Sequence, residues 1–183
     1  MRAADIAQDL ERVLVTEEQI QERLAELAAE VDRDYADREV LLVGVLKGAV
    51  MVMADFTRAL TIDAAMDWMA VSSYGASTKS SGVVQIRKDL DTPLEGKHVL
   101  VVEDIIDSGL TLNWLLEHFA TRGAASIEVL AAFRKPDAAK VEIDAKYVGF
   151  DIPSDFVIGY GLDYAERYRG LRDVAVLAPH VYS

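Results

Sequence analysis

Cysteine is absent from all 183 residues, which excludes disulfides and thiolate metal sites. No apolar run reaches the roughly 18 residues of a membrane span. Asp5, Asp9 and Glu11 stand near the start, where a secretory leader would be basic. The expectation is a cytoplasmic chain with no membrane partner. Basic residues are scarce as well: 19 Lys and Arg against 31 Asp and Glu leave a net charge of −12. Binding a phosphate backbone needs clustered cations, so no nucleic-acid partner is expected. Neither Gly-x-x-x-x-Gly-Lys nor Gly-x-Gly-x-x-Gly occurs, which removes the Walker loop and the dinucleotide fingerprint. His98, His118 and His180 show no ligand spacing and read as structural, and Trp68 and Trp114 read as packing residues.

What is present is an ordinary globular composition, 51% hydrophobic, in one domain spanning residues 1–183. Residues 16–35 read as a helix, with Thr16 as N-cap and Gln19 completing a capping box. Residues 40–45 form a buried apolar strand ending in Leu46-Lys47-Gly48, followed by a helix with Ala49, Val52, Met53, Phe56 and Leu60 on one face. Residues 66–74 and 82–88 read as two strands joined by a Gly/Ser-rich linker at about 74–81, either a loose hairpin tip or a lid. Further strands are expected at 97–102, 127–133, 147–150, 156–160 and 174–177, with a helix running from Leu112 to about Gly123. Alternation of strand and helix indicates an α/β fold, a mostly parallel twisted sheet flanked by helices.

The most informative stretch is Val101-Val102-Glu103-Asp104-Ile105-Ile106-Asp107-Ser108-Gly109-Leu110-Thr111, where a strand passes into a helix. In open α/β sheets, ligands bind at that edge. Asp107 to Thr111 offer consecutive main-chain N–H groups, two hydroxyls and the positive end of a helix dipole, suited to a monophosphate. Two ionised carboxylates such as Glu103 and Asp104, ~5 Å apart at an effective dielectric of ~20, repel by about 3 kcal/mol. Vicinal hydroxyls and Mg²⁺ would relieve that repulsion, and a ribose 5-phosphate supplies hydroxyls and phosphate together. Taken singly, Lys47 and Lys135 also fit strand-end lysines, Phe156 fits a core residue, and Asp163 fits a turn cap.

Four apolar residues, Glu-Asp, two apolar residues and Asp-Ser-Gly-x-Thr resemble the phosphoribosyl-pyrophosphate motif of type I phosphoribosyltransferases. Leu46-Lys47-Gly48, Ser73-Tyr74-Gly75, Arg134-Lys135-Pro136 and Phe156-Val157 through Arg169 extend the resemblance to the branch acting on hypoxanthine and guanine, from about residue 13 onward. The resemblance implies a type I phosphoribosyltransferase fold with a small hood built from the chain ends and a flexible lid hairpin. It implies purine salvage: transfer of the 5-phosphoribosyl group from phosphoribosyl pyrophosphate to N9 of a 6-oxopurine, giving IMP or GMP and pyrophosphate.

The roles it implies are specific. Glu103 and Asp104 hold ribose hydroxyls and Mg²⁺, Asp107 takes the N7 proton, and Ser108, Gly109, Leu110 and Thr111 cradle the 5-phosphate. Lys47, Gly48 and Arg169 bind pyrophosphate, with a cis peptide at Leu46-Lys47 as an open question. Ser73 and Tyr74 begin the lid. Lys135, Phe156, Val157 and Asp163 form the purine side, with Asp163 on a second Mg²⁺. Some relatives carry Lys or Arg where Leu110 stands, a small loss if the main-chain N–H acts. Assembly as a homodimer or homotetramer is also implied. Three other readings stay in view: a signalling receiver domain, an RNA-binding regulator on the same fold, and a transferase for another base such as xanthine.

Overall fold

A computed structural model describes residues 1–73 and 84–182. Its centre is a six-stranded sheet in the order β4-β3-β2-β5-β6-β7, made of β2 (Val40–Leu46), β3 (Ala64–Ser73), β4 (Val84–Lys88), β5 (His98–Ile106), β6 (Ser126–Arg134) and β7 (Tyr147–Asp151). All neighbours are parallel except β3 and β4. The near-continuous apolar runs follow from this: a parallel sheet is covered on both faces. Leu42, Leu100, Val102, Leu130 and Ala132 face one core, shared with α1 (Glu17–Asp34) and α2 (Val50–Ala59). Their neighbours Leu41, Val43, Val99, Val101, Val129 and Ala131 face the other, under α3 (Leu110–Ala120). The side-chain period of two thus fills both layers.

Trp68 is a packing residue, as expected. It lies over Gly44, where an added Cβ would come within 2.6 Å of the indole. His118 stacks on Trp114 at 5.1 Å and contacts Arg122, which keeps it structural.

The hood is a second, three-stranded antiparallel sheet of β1 (Leu10–Val15), β9 (Val174–Leu177) and β8 (Val157–Ile158), in the order β1-β9-β8. In β9, Val174 and Val176 join the main core, while Ala175 and Leu177 pack into the hood with Tyr168 and Leu171. A short helix, α4 (Pro179–Tyr182), follows β9. Among the described residues, no helix is long and apolar enough to cross a membrane.

Several boundaries differ from the sequence reading. β5 runs on to Ile106, so Glu103 and Asp104 lie inside the strand rather than after it. The helix α3 stops at Ala120, and Gly123 at φ 73° belongs to the following turn. The strand at 156–160 shortens to Val157–Ile158, because Gly159 and Gly161, at φ 98° and 99°, turn the chain. β1 was not expected: an edge strand with three consecutive exposed residues shows no apolar alternation. The proposed lid at about 74–81, including Tyr74, lies outside the described residues.

The capping box at α1 is present as expected. Thr16 Oγ1 accepts from Gln19 N at 3.3 Å, and Gln19 Oε1 accepts from Thr16 N at 2.9 Å. Thr16→Ala should therefore lower unfolding free energy by about 1 kcal/mol. The measurement is a urea titration, and an unchanged midpoint at unchanged slope would refute the cap's contribution.

Candidate active site

The carboxyl ends of β2, β5 and β6 meet the hood across a cavity of about 290 Å³. Each wall can be traced to a chain segment. The turn after β2 supplies Gly48, β5 and its exit supply Asp104 and Asp107, and the exit of β6 supplies Lys135. From the hood come Phe156, Val157, Asp163 and Arg169. Eight of the residues singled out from sequence thus share one cavity. Ile105 and Leu162 complete its lining and carried no chemical signal in the sequence.

Gly48 is glycine for a steric reason. A Cβ there would sit 1.7 Å from Asp104 Oδ2. Its carbonyl in turn is met closely by Gly161, whose own added Cβ would lie 2.1 Å from Gly48 O. The peptide between Leu46 and Lys47 is cis.

Glu103 and Asp104 separate as adjacent residues in a strand must, towards opposite faces. Asp104 enters the cavity; Glu103, 8% exposed, is buried outside its lining. Burial holds the Glu103 carboxyl well above the usual range, with the neighbouring Asp104 charge adding to it. Burial likewise pushes Asp104 up to about 6, opposed by main-chain hydrogen bonds and the Arg169 charge, and assisted by Asp163. Glu103 and Asp104 were expected near one Mg²⁺ and Asp163 on a second; among the described residues, no three His, Asp or Glu side chains form a metal-binding group. Asp104 and Asp163 remain as two hard oxygen donors on one cavity. That suits Mg²⁺, which takes one or two carboxylates and completes its shell with substrate phosphates and water.

At the base side, Lys135 is 7% exposed and its Nζ donates to Asp107 Oδ2 at 3.1 Å. Phe156 does not join the core; it is 43% exposed. Its ring is propped by Tyr164 at 5.9 Å and by Tyr182 of α4 at 5.4 Å. Neither tyrosine was singled out from the sequence, because nothing local marks a ring that meets Phe156 only through tertiary folding. Val157 lies on β8, an edge strand whose outer main-chain side is unpaired within its sheet.

The turn at Ser108 to Thr111 lies beside the cavity rather than in its lining. Gly109 takes φ 77° as the N-terminal flank of α3, which has no side-chain cap. The first N–H groups of that helix are consequently free of a competing side chain. A Cβ on Gly109 would approach Val141 O to 2.7 Å. The 140–141 segment is tied to the same turn, since Lys140 N and Val141 N both donate to Ser108 O, at 3.0 and 3.2 Å. Leu110 and Thr111 open the helix. Ser73 ends β3.

Lys47 also lies outside the lining. It pairs with Glu166 at 3.1 Å. Arg169 bonds Asp163 at 2.8 Å and Gly161 O at 2.8 Å, and its Nε is buried with no hydrogen-bond partner among the described residues. Glu166 was given no role from sequence, although it lies within the stretch from Phe156 to Arg169 that carries the resemblance.

Three cations, four carboxylates, an aromatic wall and an uncapped helix start thus stand in or beside one cavity. A model of the phosphoribosyl transferase domain matches residues 14–165. The chain belongs to the phosphoribosyltransferase family. It is 53% identical over 180 residues to the hypoxanthine-guanine phosphoribosyltransferase of Mycobacterium avium, covering 95% of this chain and 89% of that one. It is 53% identical over 174 residues to the protein of that name from Bacillus subtilis (strain 168), covering 95% and 97%. A crystal structure of a hypoxanthine phosphoribosyltransferase from Staphylococcus aureus superposes with a TM-score of 0.94 at 44% identity, covering 98% of this chain and 97% of that one. The phosphoribosyltransferase fold expected from sequence is therefore the fold observed.

The raised Asp104 fixes the sign of a stability test. Its folded value of about 6 stands above the ordinary 3.8, so the folded state holds the proton more tightly. Its favourable contribution is present below about pH 4 and is lost as pH rises through about 6. Asp104→Asn should therefore stabilise the unliganded protein at pH 8, by on the order of 1–3 kcal/mol. The gain should shrink as pH falls from 6 towards 4. Denaturant titrations at pH 8 and 4.5 check this, and a variant less stable than the parent at pH 8 would contradict it.

Proposed function

We propose that this phosphoribosyltransferase makes IMP or GMP by joining the phosphoribosyl group of phosphoribosyl pyrophosphate to N9 of hypoxanthine or guanine. The observation carrying this reading is the 3.1 Å contact between Lys135 Nζ and Asp107 Oδ2 on a cavity walled by Phe156. It puts a donor-only ammonium beside an acceptor-only carboxylate. The N7–O6 edge of a 6-oxopurine is the complement, an N–H beside a carbonyl. Binding exchanges one ion pair for two hydrogen bonds, with Lys135 donating to O6 and Asp107 accepting from N7–H. Adenine would oppose an amino donor to Lys135. An unpaired buried donor of this kind discriminates by roughly 10⁴.

Phe156 offers its face for stacking, worth about 1–3 kcal/mol for a base on an aromatic ring. The free main-chain edge at Val157 reads the far side of the base. Asp104 meets the ribose hydroxyls; the cost of its burial is offset once hydroxyl donors or a cation arrive. Ser108 through Thr111 receive the 5-phosphate at the start of α3. Lys47, Gly48 and Arg169 receive the pyrophosphate, and Ser73 and Tyr74 lead into the lid.

In the reaction, the bond from C1 of the sugar to the pyrophosphate oxygen breaks and the C1–N9 bond forms. The proton on N7 passes to Asp107, which keeps electron density on N9 during attack. Asp104 and Asp163 would hold Mg²⁺, which supplies charge neutralisation of the leaving pyrophosphate. Lys47 and Arg169 add two fixed positive charges at the same group. A cytoplasmic location and self-association as a dimer or tetramer belong to this proposal; sedimentation reads the latter.

The direct test is nucleotide formation from phosphoribosyl pyrophosphate with hypoxanthine, guanine, xanthine, adenine and orotate, each with and without Mg²⁺. Activity with the first two bases, dependent on Mg²⁺, is expected; turnover of adenine alone would refute the reading. Asp107→Asn should lower turnover by about 10²–10⁴ with phosphoribosyl-pyrophosphate affinity nearly unchanged. Turnover near that of the parent removes Asp107 from the proton transfer. Lys135→Ala should erode the preference for 6-oxopurines over adenine, and an unchanged kcat/KM ratio means another group reads the 6-position.

A further inference from the structure

One carboxylate of the site has no part in the chemistry above. Glu166 Oε2 lies 3.1 Å from Lys47 Nζ and 3.4 Å from Arg169 Nη2, so a single side chain bridges two cations from different segments, the turn after β2 and the hood. An exposed ion pair alone would be unremarkable, since such pairs form readily and contribute little. The backbone beneath this one sets it apart. Tyr164 and Arg167 exchange main-chain hydrogen bonds, at 3.2 and 2.9 Å, closing a tight turn with Ala165 and Glu166 at its two central positions. Both central residues have positive φ, 50° and 62°. A turn with two such positions favours Asn and Gly, and residues with a larger side chain occupy it at an energetic cost. Here the chain accepts that cost and places a carboxylate.

Asp163 holds the turn in place. Its Oδ2 accepts from Glu166 N at 2.9 Å while its Oδ1 binds Arg169 at 2.8 Å. The hydrogen bond from Lys47 keeps the Glu166 carboxyl below its usual range, as for a group held in its charged form.

We propose that Glu166 is a built-in counter-anion of the pyrophosphate subsite, bridging Lys47 and Arg169 until pyrophosphate displaces it and re-pairing with them as pyrophosphate leaves. This rests on the assignment of Lys47 and Arg169 to pyrophosphate. A diphosphate carries more charge and more oxygens than one carboxylate, so it wins both cations when present. Glu166 lowers the affinity for the product without touching the reacting atoms; it is a positioning residue for the two cations. Asp163 links the exchange to its other partners, because a ligand that engages Asp163 loosens both Arg169 and the main-chain anchor of Glu166.

Calorimetric titration of the full chain with inorganic pyrophosphate and Mg²⁺ tests this. Glu166→Gln should tighten pyrophosphate binding about two- to fivefold, the range of an exposed ion pair, with the KM for the purine unchanged. Lys47→Ala should weaken pyrophosphate binding, and in that background the effect of Glu166→Gln should fall by at least half. Unchanged or weaker binding in Glu166→Gln overturns the inference. So does a tightening that persists in full without Lys47, which would be a general effect of removing one negative charge. If neither Lys47→Ala nor Arg169→Ala weakens pyrophosphate binding, the subsite itself is misassigned and the inference falls with it.

Discussion

The close approach of three chain segments at Gly48 is the constraint on which the site depends. Asp104 reaches into the cavity only because Gly48 has no Cβ, and the hood comes down onto Gly48 only because Gly161 has none. One turn therefore brings together a carboxylate from the central strand, the loop carrying Lys47, and the hood loop carrying Asp163 and Arg169. A methyl group at either glycine would force two of these segments apart. The sheet supplies rigidity for the arrangement: β2 and β5 are hydrogen-bonded neighbours, covered on both faces, so the ends that carry Lys47 and Asp104 cannot drift independently.

Burial at that junction makes its charges interdependent. Glu103 and Asp104 are both raised by loss of solvent; the Asp104 charge adds to the shift of Glu103, and the Asp163 charge adds to that of Asp104. A protein selected for stability alone would have no reason to keep this pair. Keeping it means that the unliganded state holds poorly solvated carboxyl groups beside the point where sugar hydroxyls and a cation would arrive. Ligand binding then recovers free energy that the fold has left unsatisfied, which is how a site can bind strongly without large apolar area.

How much of this could be read from the chain depended on range. The motif from Glu103 to Thr111 is continuous, so strand, turn and helix start announce each other within eleven residues. The core strands were legible for the same reason: burial on both faces imposes uninterrupted Val and Leu. Lys135 and Phe156 were found through short runs at strand ends. Glu166, Tyr164 and Tyr182 were not, because each acquires its meaning from a partner far along the chain or across the hood. β1 escaped notice because an edge strand of a half-exposed sheet needs no alternation to form; it is held by pairing with β9. The separation of Glu103 from Asp104 followed from β5 running further than its apolar segment suggested. Polar residues can extend a strand when one neighbour continues the ladder, as β6 does here to Arg134, although the pairing with β2 stops at Val102.

A chain with net charge −12 has to bind an anionic sugar, and long-range attraction cannot help it do so. In the function proposed above, the local arrangement resolves this by exchange. Lys135 rests on Asp107, Lys47 on Glu166, and Arg169 on Asp163. None of these three cations is left without a carboxylate partner, so an adventitious anion must displace one to bind there. A substrate that supplies replacement contacts for several pairs together can break them all, whereas one that meets a single pair gains little. Selectivity for a ligand carrying diphosphate, hydroxyls and a base edge together is then a property of the paired resting state as much as of any individual contact. The same pairing sets the limit on affinity, because every ion pair surrendered on binding is available to re-form when the products depart.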